Sequence, residues 1–301
     1  MSDTTNNPSR QGLSEDFVVP PFSILDARSG RWQARKRQWK AAGVGVGDVS
    51  RADLTFGRAL NEFGDSSKAL RESTSEFDPV LAETLIHWFS EPGDVVVDPF
   101  CGGPVRGVVA NRLGRGYAGC DLRASQVSAN RAAFPSLSGL WVVGKAQDDP
   151  LRGVRPGMVL TCPPYGPLER YSDDPSDLSN MERGEFVASF RESMRGPVER
   201  LRDGGFAVVV VGDCRVGGQY WALPRAAEET LDGLGLVLHS KLVLATRAGS
   251  AAIRARSQME ASRLPVACHQ DVLVFVKGQP GRWVISEPAD LVGQTMLWES
   301  A

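Results

Sequence analysis

Short, almost continuously apolar runs recur along this chain, each separated from the next by loop text or by a segment with helical patterning. The clearest are Val95-Val96-Val97, Met158-Val159-Leu160 and the run from Phe206 to Val211. Runs this short do not make helices, and they lack the polar alternation of a half-exposed strand, so both of their faces must be covered. The reading along the chain is strand 95–98, helix 105–113, strand 117–121, helix 125–133, strands 140–143 and 158–161, helix 184–201, strand 206–212, helix 224–231, strand 236–244 and strand 271–277. Such an order calls for an α/β fold: a doubly wound, mostly parallel, seven-stranded sheet with helices on both faces. A further helix is predicted over 79–90, where Leu81, Leu85, Ile86 and Phe89 are apolar and Asp78 is placed to cap its start.

With 301 residues, 42% hydrophobic and 23% charged, the chain can bury one sizeable core and a small appendage. The expected organisation is a polar, disordered tail over 1–16, an N-terminal arm and helix within 17–72, a main domain over 73–280 and a C-terminal tail over 281–301. The longest apolar run is far too short to span a bilayer, and the polar start is unlike a secretory signal peptide, so a cytoplasmic protein without membrane attachment is expected. Five cysteines, odd in number and scattered, point to reduced thiols; Cys101, Cys120 and Cys214 read as small buried hydrophobes. No CxxC pair is present and the three histidines are far apart, so no metal site is expected. Whether the chain is a monomer or a homodimer is not legible.

A net charge of -2 does not by itself suggest a polyanionic partner, but local charge does. Arg28, Arg31, Arg35, Lys36, Arg37 and Lys40 are interleaved with Trp32 and Trp39, and Arg247, Arg254, Arg256 and Arg263 form a second basic stretch. Basic groups beside aromatic faces suit phosphates and unstacked bases, which makes Arg35, Lys36, Arg37, Arg254 and Arg256 candidate nucleic-acid contacts. The other reading of the first cluster is the solvated face of an amphipathic helix whose tryptophans pack inward.

Two loops carry the chemistry. Asp98-Pro99-Phe100-Cys101-Gly102-Gly103-Pro104 follows the strand at 95–98, and Cys162-Pro163-Pro164-Tyr165 follows the strand at 158–161. Ligands of doubly wound sheets bind outside the carboxyl ends of the strands, so both loops should face one pocket. In the first, Gly102 and Gly103 let the backbone approach a ligand closely, and the helix start behind them offers free N–H groups. At the end of the next strand, Asp121, followed by Leu122, can accept hydrogen bonds from ribose hydroxyls. In the second, two prolines restrict the backbone so that carbonyls can point at an amino group, while Tyr165 offers a face to an extruded base.

The first loop resembles the DPFxGxG loop of S-adenosylmethionine-dependent DNA methyltransferases, and Ser75-Glu76-Phe77-Asp78-Pro79 resembles their segment that closes over the methionine end of the cofactor. Cys162-Pro163-Pro164-Tyr165 resembles the [D/N/S]PP[Y/F/W] loop of the members that methylate exocyclic amino groups of adenine or cytosine. Several flanking stretches look like phage-type enzymes of this kind, which would act in a bacterial or phage-infected cell. The resemblance implies S-adenosylmethionine as cofactor, DNA as partner, Phe77, Asp98, Phe100, Gly102, Gly103, Asp121 and Leu122 at the cofactor, and Cys162 to Tyr165 at the target base. Two departures stand out: Gly103-Pro104 replaces the usual Gly-Thr or Gly-Ser, and Cys162 replaces an oxygen acceptor with a weak one. Cys162 leaves a second chemistry open, in which a thiolate adds to C6 of cytosine and activates C5, with Arg254 and Arg256 resembling the paired arginines of cytosine-C5 methyltransferases. An RNA methyltransferase and a catalytically silent nucleic-acid-binding protein are the remaining alternatives.

Overall fold

A computed structural model describes residues 16–45, 76–168, 170–246 and 251–281. Its centre is an eight-stranded sheet. In chain order the elements are β1 (Ile24–Asp26), α1 (Gly30–Ala41), α2 (Pro79–Phe89), β2 (Val95–Asp98), α3 (Val105–Arg112), β3 (Gly116–Asp121), α4 (Ala124–Ala133), β4 (Trp141–Val143), β5 (Met158–Thr161), α5 (Arg183–Arg200), β6 (Phe206–Val211), β7 (Arg215–Val216), β8 (Gln219–Tyr220), α6 (Leu223–Asp232), β9 (Val237–Ala245), α7 (Ala251–Ser262) and β10 (His269–Val276). Across the sheet the order is β1-β9-β10-β6-β5-β2-β3-β4. Only β10 runs against its neighbours, pairing antiparallel with both β6 and β9.

Strand residues feed two cores in alternation, which is why the runs are apolar throughout. Val208 and Val210 of β6 and Val272 and Val274 of β10 join the core formed with α2 and α3. Their neighbours Ala207, Val209, Leu273 and Phe275 join Phe186, Phe190 and Met194 of α5 and Leu231 of α6 on the opposite face. Truncating a fully buried side chain such as Met194 or Leu231 to alanine would cost about 2–5 kcal/mol. Asp78 caps α2 as expected, its Oδ1 accepting from the Val80 N–H at 2.9 Å, and Pro79 occupies the first turn, where its missing N–H is not needed.

All seven expected strands are present, and the N-terminal arm supplies an eighth. Ile24–Asp26 pairs in parallel with Val243–Ala245. Val18, Val19, Leu25, Trp32 and Trp39 are buried in the same core as α2 and α3, so the described part of the arm packs on the main body. A small hairpin, β7 with β8, was not legible as strand. It turns through Gly217 and Gly218, at φ +56° and +78°, the left-handed pair that a two-residue hairpin turn demands. The irregular stretch expected over 48–72 and nearly all of both expected tails lie outside the described residues. Among the described residues, no helix is long and apolar enough to cross a membrane.

Candidate active site

From β2 the chain winds outward through β3 and β4, then returns to β5 on the other side of β2. The loops after β2 and β5 therefore leave adjacent carboxyl ends at the point where the winding reverses, the place a ligand crevice forms. A direct bond joins them: the Thr161 hydroxyl donates to Asp98 Oδ1 at 2.8 Å.

Asp98 is the hub of this junction and has no solvent exposure. Besides Thr161 it accepts from the Phe100 N–H at 3.1 Å, Arg106 Nε at 2.5 Å and the Tyr117 hydroxyl at 2.9 Å. Four donors around one carboxylate compensate the cost of burying it. Burial, and then the Asp98 charge, push the Tyr117 phenol well above its ordinary range, so it stays protonated and donates. Burial works against the charge of Arg106, but Asp98 prevails and its pKa is raised. The sequence reading put Asp98 beside the cofactor; the structure instead turns it inward, because the buried Arg106 requires a counter-charge, and it lines neither of the two cavities at this site.

Arg106 reaches further. Its Nη2 donates to the Phe100 carbonyl at 2.7 Å and the Cys101 carbonyl at 3.0 Å, and its guanidinium lies 4.4 Å from the Phe77 ring centroid. One side chain thus fixes the β2 loop and the Phe77 segment to each other. Gly102 is held from two sides. Its N–H donates to Asp121 Oδ2 at 3.1 Å, and its carbonyl accepts from Asn130 Nδ2 at 2.8 Å. The buried Asn130 is itself oriented by Gln126, whose Nε2 donates to Asn130 Oδ1 at 3.0 Å. With φ at +50°, Gly102 sits in the region that a side chain would strain.

Two cavities open at this edge of the sheet. The first is lined by Asp121, Leu122, Ala146, Gln147 and Leu178, together with Pro99 and Pro164. The second is lined by Phe77, Gly103, Arg106, Pro163 and Tyr165, and also by Gln33, Lys36, Arg37 and Lys40 of α1. Phe100, Gly102, Cys162 and Tyr171 line both, so the two loops form one continuous wall between them. In the second loop, Cys162 Sγ and the Tyr165 hydroxyl share a hydrogen bond at 3.2 Å. The Tyr165 ring packs so closely on Gly212 that a Cβ there would lie 3.2 Å from the ring.

The expected nucleic-acid residues separate. Arg35 is committed to the protein: Nε and Nη2 bind the fully buried Glu83 at 2.9 and 2.5 Å, and Nη1 binds Gln38. Lys36 pairs with Asp78 at 2.7 Å while lining the second cavity beside the exposed Arg37. Arg254 and Arg256 are exposed on α7 and line neither cavity; Arg256 pairs with Glu260 one turn on. Cys101, Cys120 and Cys214 are buried; burial holds the Cys101 thiol well above its ordinary range and pushes that of Cys214 up to about 12. Among the described residues, no cluster of His, Cys, Asp or Glu could hold a metal ion.

Sequence reasoning missed Arg106, Thr161, Gln126, Asn130 and Tyr171. A signal existed for the first: Arg106 interrupts the apolar start of α3, where a charge needs a buried partner. Gln126 and Asn130, four residues apart on α4, read in sequence as ordinary surface residues.

Residues 28–131 match the N6/N4 family described as DNA methylase. Part of the chain is also similar to the type II methyltransferase M1.MboII of Moraxella bovis, at 43% identity over 54 residues, 18% of this chain and 20% of that protein. The match thus spans about a fifth of that enzyme's length. Among solved structures, TrmN from Thermus thermophilus aligns with a TM-score of 0.48 at 19% identity over 69% of this chain and 51% of that one. A TehB-like SAM-dependent methyltransferase from Corynebacterium glutamicum aligns with a TM-score of 0.40 at 15% identity over 83% and 98%. The sheet order itself, with its single antiparallel strand, carries the fold assignment.

Proposed function

We propose that this protein transfers a methyl group from S-adenosylmethionine to the exocyclic amino group of adenine (N6) or cytosine (N4) in DNA. The observation that carries the reading is the wall shared by the two cavities: Phe100 and Gly102 of the β2 loop and Cys162 of the β5 loop face both. A donor in one cavity and an acceptor base in the other would meet across it.

The residues fit the cofactor. Asp121 stands at the cavity wall, where its carboxylate accepts from the Gly102 and Arg123 N–H groups, and a carboxylate is the kind of acceptor that ribose hydroxyls require. Leu122, Ala146 and Leu178 offer apolar surface to an adenine face, and Gln147 brings a side-chain amide into the same cavity. Gly102 and Gly103, which line the second cavity together with Phe77, leave the backbone open to the amino-acid end, which would reach past the shared wall. Asp98 supports that end indirectly, by fixing Phe100, Arg106 and Thr161.

When bound, the cofactor would supply an electrophilic sulfonium methyl, to which the chain's residues would present the lone pair of the target amino nitrogen. The chain's part is alignment, which can supply several kcal/mol of such a barrier. Pro163 and Pro164 have no N–H, so the loop presents carbonyls to the amino group, and Tyr165 supplies an aromatic face for a base swung out of the duplex. Cys162, hydrogen-bonded to Tyr165, shapes the pocket without supplying the usual oxygen acceptor. The basic side chains of α1 that line the second cavity and the exposed Arg254 and Arg256 would meet the DNA backbone. Incubation with tritiated S-adenosylmethionine and duplex DNA, RNA or no acceptor tests the reading. Label in DNA alone supports it; label in RNA alone, or in neither, overturns it.

A further inference from the structure

One face of α1 lines the cleft that holds the base-binding loop, and it is polar and basic. Gln33, Lys36, Arg37 and Lys40 all border the same cavity as Cys162, Pro163 and Tyr165. At about 100° per residue these four positions fall within roughly one third of the helix circumference. The neighbouring face carries Trp32 and Trp39, both buried, which fixes the rotation of α1, and Arg35 strengthens this by clamping Glu83 of α2. The helix therefore cannot turn its cationic face away from the cleft without exposing two tryptophans.

We infer that this face of α1 is a phosphate track, in which Arg37 and Lys40 hold the DNA backbone beside the extruded base. The inference rests on the methyltransferase reading and deepens it by assigning the strand-gripping surface. Within the track the residues differ. Lys36 is neutralised by Asp78, whereas Arg37 and Lys40 are exposed at the cleft. Glu76 and Asp78 also border the cleft, on the side of the Phe77 segment, so the positive charge is concentrated along α1. The cofactor's carboxylate is the competing anion, and the experiment separates the two.

The same helix provides its own control. Arg31 is exposed but lies about 180° around the helix from Lys40, away from the cleft. In the whole 301-residue chain, R37A/K40A and R31A are compared by titrating a fluorescent mixed-sequence DNA duplex over a range of salt concentrations, with S-adenosylmethionine binding measured by equilibrium dialysis. R37A/K40A is expected to reduce the slope of log affinity against log salt by about 2, as two lost phosphate contacts require at ~0.9 each, with cofactor binding unchanged. R31A, which removes one charge from the same helix, should change the slope by less than about 0.5. Equal slopes for wild type and R37A/K40A, or an R31A effect as large per charge as that of the double variant, would overturn the track. So would loss of cofactor binding with DNA affinity retained, which would assign the wall to the cofactor's carboxylate. Because the readout is DNA binding, failure of methyl transfer in the wild type would count against the enzymatic reading and leave the track standing.

Discussion

The loops after β2 and β5 do opposite work. The first is fixed by buried polar groups: Asp98 accepts four hydrogen bonds, Arg106 ties Phe100 and Cys101 to Phe77, and Gly102 is held by Asp121 and Asn130. The second has two prolines, a hydrogen bond between Cys162 Sγ and the Tyr165 hydroxyl, and a ring laid on Gly212. A buried polar network specifies one geometry because each broken bond strands a partner. A proline-stiffened loop reaches the same end through the restricted dihedral angles of its backbone, without a buried charge to compensate. The comparison predicts that the first loop fails by unfolding and the second by losing activity.

The largest expected effect is at the hub. Asp98→Ala strands Arg106 as an uncompensated buried charge and should destabilise the fold by about 3–5 kcal/mol, read as a lower urea midpoint; an unchanged midpoint would break the contrast between the loops. Asp121→Ala comes next: it removes an acceptor at the cavity wall, at about 1.5–3 kcal/mol for a charged hydrogen bond. Equilibrium dialysis should show cofactor binding weakened roughly tenfold to a hundredfold. Tyr165→Ala loses base stacking worth about 1–3 kcal/mol, so kcat/KM for DNA should fall while the urea midpoint moves far less than in Asp98→Ala. The smallest effect sharpens the chemistry. Cys162→Ser installs a better acceptor, and the labelled-methyl assay should show activity retained or raised by up to about tenfold. Abolished activity, with a trapped covalent adduct in the wild type, would instead identify the thiol as the nucleophile of C5 chemistry.

What was legible in the sequence follows the same division. Strands 95–98 and 158–161 could be bounded to the residue because each ends where valine, leucine and methionine give way to proline-rich loop text. The glycines of the first loop and the prolines of the second declared themselves because their backbone properties are intrinsic to the residue. The role of Asp98 did not. A carboxylate beside a glycine-rich loop reads as a ligand contact, and only the fold shows Arg106, Tyr117 and Thr161 converging on it from three other elements. The eighth strand escaped for a related reason: Ile24–Asp26 becomes a strand because β9 offers it an open edge, a property of the partner. The basic cluster around Trp32 contained both of its alternatives, since the tryptophans and Arg35 serve the core while Arg37 and Lys40 face the cleft.

The proposed reaction requires a sulfonium methyl and an exocyclic amino group aligned in one cleft. Mass spectrometry of nucleosides from DNA incubated with the protein and S-adenosylmethionine, with standards for the isomeric methylcytosines, tests this. The expected product is N6-methyladenine or N4-methylcytosine, lost in Tyr165→Ala. 5-Methylcytosine, or no methylated nucleoside at all, would contradict it.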